Sequence, residues 1–123
     1  MSRHGSRDFE TSLRNTVATA AKCASERQGK KVTSAVVDFP PNARAVPHRH
    51  GEAFAYAYVL TGSVRSKVDG EPVHTYHQGE NRIEEPGAHH VLTENVSRTM
   101  PTKLLVVFVS DTGDALKIPD PRR

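Results

Sequence analysis

Between residues 31 and 111 the chain is cut into short pieces by turn-forming residues. The turns recur at intervals of about 8–12 residues, and the pieces between them are β-branched, aromatic or alternating. KVTSAVVDF (31–39), AFAYAYVL (53–60), SVRSKV (63–68), PVHTYH (72–77), NRIEE (81–85), AHHVLTEN (88–95) and TKLLVVFVSD (102–111) read as strands. The Asp69–Gly70 pair between two of them is a strong hairpin signal. Strands this short and this regularly spaced close into an all-β sandwich or barrel.

The length of 123 residues suits one domain. Residues 1–30 read as an N-terminal extension, partly disordered, and 112–123 as a C-terminal tail. Within the extension, Leu13, Val17, Ala20, Ala21 and Ala24 have helical spacing. NTVAT (15–19) fits an edge strand equally, so a short N-terminal helix or edge strand is expected, with the helix preferred. Much of the net charge of +3 comes from Arg3, Arg7 and Arg14 at one end and Arg122 and Arg123 at the other. No basic stripe is interleaved with aromatics, so no nucleic-acid partner is expected. The longest apolar run, LLVVFV (104–109), is too short to cross a bilayer. No apolar stretch follows the basic residues at the N-terminus, so we expect a cytoplasmic protein with no membrane association. Cys23 stands alone, which rules out an internal disulfide; it reads as a buried small residue.

Chemistry enters with the histidines. His48 and His50 lie two apart, and in a strand residues i and i+2 project from one face. Arg49 points away. His89 and His90 follow the Pro86–Gly87 turn, and being adjacent, only one can share the cavity face. An antiparallel barrel can bring the second pair beside the first, so three imidazoles would converge on one point. Neutral imidazole suits zinc, copper, iron or nickel, with positions left open for substrate.

The two stretches resemble the two motifs of the cupin family. The first family motif is G-x5-H-x-H-x3–4-E-x6-G. Asn42 stands at its first glycine, His48 and His50 match, Ala55 occupies the glutamate position, and Gly62 closes it. Asn for glycine is a mild change, because Asn tolerates the left-handed backbone region better than most residues. The second motif is G-x5-P-x-G-x2-H-x3-N. Gly79, Gly87 and His90 match, Glu85 replaces the proline, and Glu94 replaces the asparagine, with Asn95 one residue on. The resemblance implies a cupin-type small β-barrel (double-stranded β-helix or jelly roll) over 31–111. It also implies one divalent transition metal (iron, manganese, nickel, copper or zinc) held by His48, His50 and His90. With Ala55 unable to ligate, Glu52 is the nearby carboxylate that a one-residue shift would bring in as a ligand or catalytic group. Glu94, four residues past His90, would share its face and act as a general base or orient a ligand.

The alternating stretch 53–60 sets Ala55, Ala57 and Val59 against Phe54, Tyr56, Tyr58 and Leu60. The resemblance implies that the small set, with Leu92, lines the cavity and that the aromatic set packs outward; with the opposite parity the tyrosines would line it. His74, Tyr76 and His77 are expected at the rim or surface. The resemblance further implies a homodimer and a small-molecule substrate or ligand. Two functions follow. One is a metal-dependent enzyme, dioxygenase-like or lyase/isomerase-like, acting on a small apolar or aromatic substrate. The other is a non-catalytic small-molecule-binding or sensor cupin, to which the missing glutamate points.

Overall fold

The computed structural model describes the backbone of residues 18–27, 29–113 and 118–119, and the side chains of 29–113. Ten strands run in chain order: β1 (Ala18–Arg27), β2 (Lys30–Phe39), β3 (His48–Arg49), β4 (Phe54–Thr61), β5 (Ser63–Val68), β6 (His74–His77), β7 (Asn81–Glu84), β8 (His89–Glu94), β9 (Thr102–Asp111) and β10 (Ile118–Pro119). They form two five-stranded antiparallel sheets, β1-β2-β9-β4-β7 and β10-β3-β8-β5-β6. The fold is all-β, as the turn spacing predicted, and closes as the jelly-roll barrel that the resemblance implied.

The alternation in β2, β4 and β9 now has its cause. Thr33, Ala35, Val37 and Phe39 point inward, opposite Leu104, Val106 and Phe108 of β9 and Ala55, Ala57 and Val59 of β4. Phe39, Ala43, Ala45, Val59, Val64 and Leu104 pack as the core cluster, Phe39 with 2% exposure. Burying apolar surface of this kind contributes about 25 cal/mol per Å². All of them but Ala43 also border the cavity, which finds room beside β4 where Ala55 and Ala57 point inward.

Residues 18–27 correct the helical preference. They form β1, paired along its length with β2. Alanine's helix propensity is worth only tenths of a kcal/mol per residue, whereas pairing with β2 gives this segment a ladder running from Ala18–Asp38 to Arg27–Lys30. Residues 11–17 lie outside the described residues. Ile118 and Pro119, in the expected tail, pair with Arg49 and His48 as β10. Asn42 has φ of 64°, as its place in the first motif anticipated.

One irregularity matters for the site. In the β5–β8 ladder Lys67 pairs with Leu92 but Val68 pairs with His90, so Val91 is an extra, bulged residue. A bulge reverses the facing of everything beyond it. Thr93, three residues from His90, therefore faces the cavity with it, and Glu94 and Leu92 do not.

Outside the barrel Glu94 meets two arginines. Its Oε1 accepts from Arg44 Nη2 at 2.8 Å, and its Oε2 accepts from Arg65 Nε at 2.7 Å. Burial pushes the Glu94 carboxyl up, but the Arg65 and Arg44 guanidiniums override it and hold the group below the ordinary 4.5. A folded-state value below the unfolded one stabilises above pH 4.5, and that contribution drains away as the pH falls through the folded value. Glu94→Gln is therefore expected to lose about 1–2 kcal/mol at pH 7, the arginines being half exposed. Thermal melts should show the gap from wild type closing below about pH 4.5. A gap of constant size down to pH 3 would show that the ion pairs contribute nothing to stability.

Candidate metal centre

His48 opens β3, His50 follows it by one residue past the strand, and His90 sits on β8. His48 and His90 are register partners across the β3–β8 ladder, which is what closes the group. The ring centroids lie 4.7 Å (His48–His50), 5.3 Å (His48–His90) and 6.5 Å (His50–His90) apart. Each ring can offer one nitrogen so that all three lie within 4.8 Å of one another. The side chains of His48 and His90 are buried, and that of His50 retains 11% exposure.

Each ring is held. Nδ1 of His48 is 2.5 Å from the Val46 carbonyl oxygen. A carbonyl only accepts, so Nδ1 carries the proton and Nε2 keeps its lone pair. Nε2 of His90 lies 2.7 Å from Ser66 Oγ and 2.6 Å from Thr93 Oγ1, which turns its Nδ1 edge inward. Ser66 Oγ also accepts from Arg82 Nη1. His50 packs on the Phe108 ring at 5.0 Å.

The carboxylate that the fold brings to these rings is Glu84, at the end of β7. Its side chain is 7% exposed. Oε1 lies 3.5 Å from His50 Nε2 and Oε2 lies 2.8 Å from His90 Nδ1. The second contact is short but not aligned as a hydrogen bond: His90 Nδ1 and Glu84 Oε1 are buried atoms without a hydrogen-bond partner among the described residues. Burial pushes the Glu84 carboxyl up, but its neighbours His90, His50 and Arg82 prevail, so it sits below 4.5 and is ionised at neutral pH.

The sequence-derived candidates separate accordingly. His48, His50 and His90 come together. His89 faces away, with Nδ1 3.9 Å from Asp69 Oδ2. Glu52 is exposed and stands outside the histidine group, because the tight turn at Gly51 carries it past the barrel mouth. Glu94 is turned out by the Val91 bulge to its arginines. Tyr76, expected at the rim, lines the cavity, with the Arg82 guanidinium 5.6 Å over its ring. Glu84 and Arg82 were missed because β7 is inverted, polar side chains inward and Ile83 outward at 52% exposure. The one usable signal was their i, i+2 spacing.

The cavity below the histidines measures about 330 Å³, at the small end of ligand sites. Its walls are mostly apolar, from Ala35, Ala57, Val106 and Phe108 among others. Its polar end holds the three histidines, Glu84, Ser66 and Arg82. Three imidazoles beside an ionised carboxylate suit a divalent transition metal, and the unpartnered His90 Nδ1 and Glu84 Oε1 are atoms that such an ion would satisfy.

A small antiparallel barrel with histidines gathered at one end defines a class of metal-binding β-barrel. The chain belongs to the cupin family: the cupin-domain family model matches residues 35–108. Among solved structures it is similar to the cupin domain of Schizosaccharomyces pombe Cnp3 (16% identity, TM-score 0.65), covering 78% of this chain and 66% of that one. It is also similar to a recombinant oxalate oxidase in complex with glycolate (23% identity, TM-score 0.67), covering 78% of this chain and 52% of that one. A third is the S161A mutant of Bacillus subtilis oxalate decarboxylase OxdC (22% identity, TM-score 0.60), covering 79% of this chain and 29% of that one. The chain thus spans less than two thirds of these proteins, and at such identities the likeness is one of fold. No curated protein matches in sequence. No helix among the described residues is long and apolar enough to cross a membrane.

Proposed function

We propose that this cupin is a metal-dependent enzyme acting on a small, largely apolar or aromatic substrate inside the barrel. The observation that carries this reading is the histidine group at the polar end of an otherwise apolar 330 Å³ cavity. His48, His50 and His90 would hold one divalent transition metal. When bound, such an ion polarises a substrate oxygen or activates oxygen, the chemistry of a dioxygenase-like or lyase/isomerase-like reaction. The chain's own residues do the rest. The apolar walls exclude water and seat the body of the substrate. Arg82 offers a polar handle: its buried Nε has no hydrogen-bond partner among the described residues. A substrate oxygen, anionic or enolic, placed between Arg82 and the histidines would satisfy that donor and fix orientation.

The second reading is a cupin that binds a small molecule without turnover, favoured by Ala55 where the family has its glutamate. Metal analysis of the purified protein beside a His48→Ala/His50→Ala variant separates the two. It is followed by oxygen-uptake and product screens with small aromatic, enol and hydroxy-acid compounds. Stoichiometric metal with turnover supports the enzyme. Ligand binding without metal or turnover supports the second reading and sinks the first.

The outer face of the first sheet supports a homodimer. Val32 and Val109 are cross-strand partners, 46% and 40% exposed, with Phe54 in the same row, and Val107, Tyr56 and Ile83 form the next row on that face. An apolar face this continuous is usually covered in solution. Sedimentation velocity should give about twice the 13.5 kDa chain mass, reverting to one chain in Ile83→Glu/Val109→Glu. A wild-type monomer at high micromolar concentration removes this proposal.

A further inference from the structure

Ala55 is the position at which the first motif loses its carboxylate. In the β4–β7 ladder, the residue directly opposite Ala55 is Glu84. Cross-strand partners on one face of an antiparallel pair have Cβ atoms about 4.5–5.5 Å apart. Both residues face the cavity. A side chain leaving from 84 therefore sweeps the same patch of the barrel interior as one leaving from 55, approached from one strand further along the sheet.

We propose that Glu84 supplies the metal-binding carboxylate that position 55 has given up, so that the centre is His48, His50, His90 and Glu84. This rests on the metal-binding reading above and deepens it. Three observations carry it. Glu84 is buried to 7% exposure at the foot of His50 and His90. Its two oxygens are shared between those rings, at 3.5 and 2.8 Å. Glu84 Oε1 and His90 Nδ1, each on the cavity side of the group, are buried without a hydrogen-bond partner among the described residues. Buried polar atoms left without a hydrogen bond are costly unless another group satisfies them. A divalent cation satisfies a carboxylate oxygen and an imidazole lone pair at once.

The arrangement also gives alanine at 55 a reason. A glutamate there, with Glu84 in place, would put two carboxylates against one set of histidines. Either position can carry the ligand; both together repel. Glu84 lies within the span of the second family motif, six residues before His90, at one of its unspecified positions.

The test is metal affinity, measured by chelator competition with cobalt(II) on the full chain. The set is wild type, Glu84→Gln, Glu84→Ala, Ala55→Glu and the transposed Ala55→Glu/Glu84→Ala. Circular dichroism of each metal-free variant establishes that it is folded. Glu84→Gln keeps shape and volume while removing the charge, so it is the variant that reads the ligand alone. The expected result is a loss of affinity of at least about 100-fold for both Glu84 variants, with recovery to within about 10-fold of wild type in the transposed variant. The visible spectrum of bound cobalt should change in Glu84→Gln and return in the transposed protein. An affinity within about threefold of wild type in Glu84→Gln, or an unchanged cobalt spectrum, overturns the proposal. So does a transposed variant that stays as weak as Glu84→Ala, which would make Glu84 a positioning residue for His50 and His90. Metal bound by wild type and lost in His48→Ala/His50→Ala, with Glu84→Gln unaffected, sinks this inference alone. No metal bound by wild type after reconstitution sinks it together with the reading it rests on.

Discussion

Replacing His48 and His50 together by alanine should empty the barrel of metal. The purified variant is expected to carry less than about a tenth of an ion per chain, where wild type carries about one. The geometry explains why the loss should be near complete. His48 presents Nε2 because its Nδ1 proton is committed to the Val46 carbonyl, and His50 presents a ring edge steadied by Phe108. What remains in the variant is His90 with Glu84, two donors where a structural or catalytic site of this type needs at least three protein ligands. The stability consequence follows by mass action. An ion present at about a thousand times its dissociation constant adds about 4 kcal/mol to the folded state. Chelation should therefore lower the wild-type Tm by more than about 10 °C, and leave the variant's Tm where it was. Equal metal content in both proteins would place the ion somewhere else and remove His48 and His50 from the centre.

How far these features could be read from residues alone depends on whether spacing or partner decides them. β5 and β9 were legible to the residue, β5 because it alternates from Ser63 to Val68 and β9 because LLVVFV (104–109) is a continuous apolar run. Alternation split β4 into two sets, and the family resemblance chose Ala55, Ala57 and Val59 as the inward one. The histidine group was legible because i, i+2 spacing on one strand and a motif on another need only be brought together by register. Glu94 was misplaced because parity counts residues, and the extra residue Val91 breaks the count without leaving a mark in the sequence. Asn95 shows the same offset from the other side. It stands one residue past the motif position, and its Nδ2 donates to the carbonyls of Phe39, Pro40 and Met100, tying two loops together at 2% exposure. Glu84 was invisible for a different reason. Its importance comes from sitting opposite Ala55, and ladder partners 29 positions apart are a property of topology, not of local pattern. β1 turned on the same point: ten residues with alanine's helical preference became a strand because β2 offered a ladder partner along their whole length.

Gly62→Ala should be among the most damaging single methyl additions in the described chain, although residue 62 is not part of the histidine group. Gly62 turns the chain from β4 into β5 with φ of +81°, a region that costs a residue with a Cβ about 1–2 kcal/mol. A Cβ built there would lie 2.3 Å from Thr102 Oγ1 and 3.0 Å from the Pro101 carbonyl oxygen. Thr102 cannot step aside freely. It is fully buried, its hydroxyl donates to the Ser63 carbonyl at 3.0 Å, and it accepts from the Ser63 N–H at 3.3 Å. Moving it gives up those bonds, about 1 kcal/mol each, and shifts the start of β9. The strain and the displaced bonds together come to about 3–4 kcal/mol, a large share of the 5–15 kcal/mol that holds a domain of this size. Thermal unfolding should show Tm lower by about 10–20 °C. The double-mutant cycle with Thr102→Ala identifies the cause. Thr102→Ala alone loses the hydroxyl's bonds, but in the Gly62→Ala background it also removes the atom that the new Cβ strikes. The two losses should therefore add to less than their sum by at least about 1 kcal/mol. Strict additivity would locate the damage in the backbone angle alone, and a Tm within about 3 °C of wild type would show that the turn relaxes around the methyl at no cost.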